Sequence, residues 1–165
     1  MPSPADNTSR QRDETPAERY DRNWIEVLQE LRVLQTGTQI LTGFLLALAF
    51  QPAFADLTDG QRVFYLVLIV LSGVSAVIAL APVALHRIVF REGMKGDIVA
   101  YGHAALMIAL VIVSALLIGV VGFVFDVVVD DRAAWTAAVL LALAVAVLWV
   151  VIPLVMRARR KGAGS

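Results

Sequence analysis

Four long apolar stretches dominate the chain, and most polar residues fall in the intervals between them. The stretches run from about Leu34 to Phe54, Val63 to Leu85, Ile98 to Phe125 and Ala133 to Met156. Each approaches or exceeds the roughly 20 residues that a helix needs to cross about 30 Å of hydrocarbon. The pattern predicts an all-α membrane protein with four transmembrane helices. The links are short and carry helix-start signals: Thr58 and Gln61 in "LTDGQR" form a capping box, and Asp130 or Asp131 can cap the fourth span. Short links favour antiparallel neighbours, hence an up-down-up-down bundle.

Ahead of the first span the pattern changes twice. Residues 1–14 are rich in Pro, Ser, Asn and charge, a composition that cannot bury enough apolar surface to offset the entropy of ordering; they read as a disordered cytoplasmic tail. They also lack the apolar core of a cleaved signal peptide, so the first span is expected to be retained. At "TPAE", Thr15 and Glu18 supply another capping box, with Pro16 at the first helical position. Tyr20, Trp24, Val27 or Leu28, Leu31 and Leu34 then recur at helical spacing, opposed by Glu18, Arg22, Glu26 and Glu30. This predicts an amphipathic N-terminal helix, either interfacial, anchoring or extending span one, or binding a partner. Residues 15–156 form one domain on this reading, followed by a basic cytoplasmic tail over 157–165.

Composition strengthens the membrane assignment: 59% of residues are hydrophobic and 17% charged, against about 45–50% and 25% in soluble domains. No basic tract points to nucleic acid. The absence of cysteine excludes disulfides and thiolate chemistry. Although the net charge is zero, the Lys and Arg residues are segregated. Arg10, Arg12, Arg19, Arg22 and Arg32 precede span one; Arg87, Arg91 and Lys95 separate spans two and three; Arg157, Arg159, Arg160 and Lys161 follow span four. The opposite side holds only Arg62 and Arg132, beside Asp56, Asp59, Asp126, Asp130 and Asp131. The positive-inside rule places both termini in the cytoplasm, where the basic face can meet anionic lipid headgroups. Phe54, Phe64, Tyr65, Phe123, Phe125 and Trp135 are expected in an aromatic belt on the other side.

Candidate chemistry is sparse. No Asp, Glu, Lys or Arg falls at the middle of a span, which weakens a pump or an antiporter. His86 and His103 lie at the cytoplasmic span ends near Arg87 and are candidates for an interface or pH-sensing role. With Asp97 they make too thin a ligand set for a metal site. Ser72, Ser75 and Ser114 have no His and acid at matching depth, so no catalytic residues, cofactor or enzyme activity are expected. Pro82 in "APVALHR" should bend or end the second span. Span four presents Ala134, Ala138, Ala142 and Ala146 at four-residue steps, a ridge suited to close helix packing, within the bundle or in a homo-oligomer.

The most informative stretch is "LQTGTQILTGF", Leu34 to Phe44. On a helical wheel Arg32, Gln35, Thr36, Gln39 and Thr42 share an arc of roughly 140° with Gln29 and Gly43, while Gly37 and Thr38 lie outside it. Gln39 sits about 7–8 Å below the cytoplasmic surface, counting about 1.5 Å per residue. An amide there needs a hydrogen-bonding partner. The stripe therefore reads as interhelical glue, or as a polar path open to the cytoplasm.

The run from Asn23 to Phe50, with "APVALHR" and the "DVV" of Asp126 to Val128, resembles a family of small four-span bacterial membrane proteins of unknown function, some of whose members are labelled sodium:proton antiporters. The resemblance implies a domain over about Asn23 to Leu154 in the bacterial cytoplasmic membrane, and transfers no activity or catalytic residue. The resulting expectation is a non-enzymatic accessory or interaction protein, with a homo-oligomer or another membrane protein as partner. The alternative is a small transporter or channel entered at the stripe.

Overall fold

The computed structural model describes residues 15–89 and 95–162. Residues 90–94, in the link between spans two and three, lie outside the described residues, as do residues 1–14, expected to be a disordered tail, and residues 163–165. Helix α1 spans Pro16–Leu48, α2 spans Asp59–Val89, α3 spans Lys95–Val128 and α4 spans Asp131–Ala146. A π-helical turn, Val147–Val151, joins α4 to α5, Ile152–Gly162. A short 3-10 turn, Pro52–Asp56, lies between α1 and α2. Among the described residues there is no strand. Four helical segments are long and apolar enough to cross a membrane: Glu18–Leu48, Asp59–Leu85, Ile98–Val128 and Asp131–Gly162.

The helix starts follow their local chemistry. Thr15 N–H donates to Glu18 Oε2 at 2.8 Å while Glu18 N–H donates to Thr15 Oγ1 at 3.3 Å. The second box repeats this, Thr58 N–H to Gln61 Oε1 at 3.0 Å and Gln61 N–H to Thr58 Oγ1 at 3.3 Å. At α4, Asp130 is the cap, accepting from Ala133 N–H at 2.7 Å. Asp130→Ala should therefore cost about 0.5–2 kcal/mol, whereas Asp131→Ala should cost distinctly less. Thermal unfolding in detergent, read by circular dichroism, separates the two; equal losses would remove the cap from the explanation.

The structure selects between the alternatives at two boundaries and moves a third, each for a backbone reason. The amphipathic segment and span one are a single 33-residue helix, because no breaker separates them. That helix ends at Leu48 rather than Phe54: Pro52 bars the residue before it from helical geometry, and Gln51 is extended with ψ 141°. Pro82 does not end α2, which continues through Val89; the proline side chain is fully buried. The π turn was not foreseen. Pro153 follows it by two residues and has no N–H to donate, and within the widened turn Ile152 N–H reaches back five residues to the Val147 carbonyl.

The chain divides into two compact units. In the first, made of the chain up to Thr38 together with Ser75–Leu110, Val27 and Leu31 of α1 pack with Ala79 and Leu106, and Leu34 lies against them. The stripe is thus engaged in helix packing from Val27 to Leu34, while Tyr20 at its start stays exposed. Gly102 makes this approach close, since a Cβ there would stand 3.1 Å from both Trp24 and Val27.

The second unit comprises Gln39–Val74 with the chain from Val111 onward. Its core is Leu45, Leu57, Tyr65, Leu68, Leu116 and Phe123. Tyr65 and Phe123 are therefore core residues, not belt residues. Phe54 meets Tyr65 edge-on at 5.0 Å between ring centres. The Tyr65 hydroxyl donates to the Leu45 carbonyl at 2.7 Å, one of the last four carbonyls of α1, which a regular helix leaves without partners. Gln61 Nε2 donates to Asp126 Oδ2 at 2.9 Å, so one glutamine both caps α2 and ties it to α3. In α4 Ala134 is the one buried residue, and the π turn and α5 contain none.

Candidate functional site

The polar residues of α1 separate by the length of their side chains. Thr36 Oγ1 donates to the Arg32 carbonyl at 2.9 Å, and Thr38 Oγ1 donates to the Leu34 carbonyl at 2.9 Å. Each hydroxyl is satisfied within its own helix, one turn back, so threonine costs little in hydrocarbon. In the first unit Arg32 and Thr36 are exposed and Gln35 is half-buried, while Thr38 is buried at 2% exposure. The wheel excluded Thr38 from the stripe, and it is the polar residue that faces the protein interior.

In the second unit Thr42 is half-buried and Gln39 is exposed. No hydrogen bond to Gln39 exists among the described residues. Gln39 does not act as glue within the chain, because its position on the helix turns it away from the packed face, which Leu41, Leu45 and Leu48 occupy. The adjacent Gly43 has open space around it, with no atom within 4 Å of where a Cβ would be. A flat, accessible patch with a primary amide beside it is the result.

The remaining candidates do not converge on a site. His103 is exposed, Arg87 is exposed, and the side chain of His86 lies outside the described residues although its backbone continues α2. No group of three or more His, Cys, Asp or Glu among the described residues could hold a metal ion. The alanine ridge of α4 is used over half its length. Ala134 is buried and Ala138 half-buried against Gly122, where a Cβ would stand 3.6 Å from the Ala138 methyl. Ala142 is half-buried and Ala146 is exposed, so packing within the unit does not engage the far end of the ridge. Ser72 and Ser75 are buried at 1% and 2%. Ser72 Oγ donates to the Ile69 carbonyl at 2.8 Å.

Two polar contacts escaped the sequence reading, Tyr65 to Leu45 and Gln61 to Asp126. Only the second had a signal: two polar residues at the same end of adjacent antiparallel spans.

Residues 13–153 match the family model described as "Family of unknown function (DUF6328)". The chain belongs to this family. The match runs from just before the capping box at Thr15 to Pro153, so it covers most of each compact unit and the π turn and stops near the start of α5. Comparison with curated proteins returns no match, and neither does comparison with solved structures.

Proposed function

We propose that this DUF6328 protein is a non-enzymatic, multi-pass protein of a bacterial cytoplasmic membrane that acts by helix–helix association within the bilayer, with a second copy of itself as the partner. The outward-facing Gln39 carries this reading. A carboxamide has two donors and an acceptor, so it is complementary to itself, and hydrocarbon offers it nothing. Across a two-fold axis, Gln39 of one copy bonds Gln39 of the other, and the bare backbone at Gly43 lets the helices come close. The segregation of Lys and Arg supports cytoplasmic termini, with the basic face against anionic lipid. A polar path entered at Gln35, Thr36 and Gln39 receives less support, because Thr36 and Gln39 are turned outward on their helix.

The test uses the absence of cysteine, which permits clean single-cysteine labelling. In lipid nanodiscs or liposomes, a Phe50→Cys variant should cross-link to itself, and adding Gln39→Leu should lower the dimer association constant about 5- to 30-fold, corresponding to about 1–2 kcal/mol. Gln39→Asn should retain part of the association. A wild-type chain that stays monomeric at every protein-to-lipid ratio would overturn the proposal. Ion or solute flux in proteoliposomes abolished by Gln39→Leu, with the fold intact, would favour the path instead.

A further inference from the structure

In the second unit, a crevice of about 340 Å³ lies between the end of α3, the start of α4 and Phe64 of α2. Its existence follows from small side chains. Gly122 on α3 faces Ala134 and Ala138 on α4, and Gly119 on α3 faces Leu68 and Phe64 of α2, so neither glycine puts a side chain into the space beside it. What lines the rest is uneven. Phe64, Phe123 and Trp135 contribute aromatic surface, and the polar lining comes from Asp126 and Asp131.

The two carboxylates are not neutralised by neighbours. Asp126 accepts one hydrogen bond, from Gln61 Nε2, a neutral donor that aims the carboxylate without cancelling its charge. Asp131 is exposed beside Asp130, whose own carboxylate is engaged as the cap of α4. Of the two cations in these links, Arg62 donates to the Ala55 carbonyl at 2.8 Å; Arg132 stands against Asp130 and Asp131 in sequence. Among the described residues neither arginine pairs with Asp126 or Asp131.

An apolar slot at the end of a span, with aromatic faces and negative charge together, matches one chemistry. We infer that this crevice binds an amphipathic monocation, an ammonium or phosphonium carrying an apolar body. The apolar part lies over Gly119, Gly122 and Ala138. The cationic head stands at Asp126 and Asp131 with the Trp135 ring beside it, where ion pairing and cation–π attraction act together. The volume falls at the small end of the range for small-molecule sites. The chain's own basic residues Arg157, Arg159, Arg160 and Lys161 lie on α5, about 33 Å or more along the helix from Trp135 at about 1.5 Å per residue, and cannot be the head group.

Binding of radiolabelled tetraphenylphosphonium to the full chain in nanodiscs tests this. Saturable binding is expected, competed by dodecyltrimethylammonium and not by dodecyl maltoside, which has the same tail without the charge. Asp126→Asn should weaken it at least tenfold and Trp135→Leu severalfold, while Asp126→Glu restores most of it and Asp59→Asn, which does not line the crevice, leaves it unchanged. The Asn variant keeps a group able to bond Gln61, and an unchanged detergent-unfolding midpoint separates lost binding from lost folding; should that midpoint fall, Asp131→Asn serves as the second variant. Equal competition by the maltoside, binding indifferent to both Asp variants, or no saturable binding at all would overturn the inference, leaving the crevice a seat for lipid tails.

Discussion

Gly119→Leu is expected to disrupt the second unit more than any other substitution proposed above or below. A Cβ at position 119 would lie 2.6 Å from Leu68 Cδ2 and 3.7 Å from Phe64 Cζ. Leu68 cannot swing aside freely, since it is 2% exposed and packed among Leu45, Tyr65 and Leu116. Overpacking a close-packed interior costs about 1–3 kcal/mol and at times more, and leucine adds three further carbons beyond the offending Cβ. Gly119→Ala should show a smaller loss of the same sign. Gly73→Ala, at a helical glycine with nothing within 4 Å, should be neutral or slightly stabilising through helix propensity. Unfolding in mixed micelles with increasing dodecyl sulfate, followed by circular dichroism, ranks the three; a Gly119→Leu midpoint equal to wild type would show that the α2–α3 contact at this level is not as close as described.

Tyr65→Phe should produce the second-largest loss, about 1–3 kcal/mol, from removal of a single oxygen. The ring is retained, so its contacts with Phe54 and Phe123 persist. What is lost is the partner of the Leu45 carbonyl, in a place too well packed to admit water: Tyr65 is 3% exposed and Leu45 1%. The removal of one partner from a buried pair is costly because the other keeps its desolvation penalty. Tyr20→Phe, at an exposed position, should leave the midpoint unchanged. The same mixed-micelle titration distinguishes them, and indistinguishable midpoints would mean that the Leu45 carbonyl finds another donor.

The number and type of helices were legible because hydrocarbon demands about 20 consecutive apolar residues, a signal too long to be mistaken. Both capping boxes were legible for the opposite reason: they are local, and Thr58 and Gln61 need nothing beyond four residues to find each other. What the sequence obscured was direction. In a soluble protein the polar face of a helix points outward, so periodicity gives orientation; in spans such as α3, apolar nearly all round, Ala109 and Leu116 at 0% exposure differ little in character from the exposed Met107 and Val111. Gln39 and Thr38 show the consequence. They are neighbours on one helix, and polarity suggested that the amide would seek the protein interior. Yet a small threonine that bonds its own backbone fits the packed face, while a long amide does not. The crevice was hidden for a related reason. Its alanines, Ala134 and Ala138, were visible as part of a packing ridge, but whether a glycine faces a leucine, as Gly119 does, or borders space depends on the offset between two helices.

The self-bonded threonines of α1 bear on how the chain enters a membrane at all. Of the four spans, the one nearest the N-terminus is the least hydropathic, so the weakest candidate is the first to emerge during synthesis. Thr36 and Thr38 present bare methyl groups only once their hydroxyls close on the Arg32 and Leu34 carbonyls, and those carbonyls are in place only in a formed helix. Partition of this segment is thereby conditional on its coiling: an extended chain of the same composition would carry its hydroxyls and peptide groups into oil unpaired. The segment has to be wound before it is admitted.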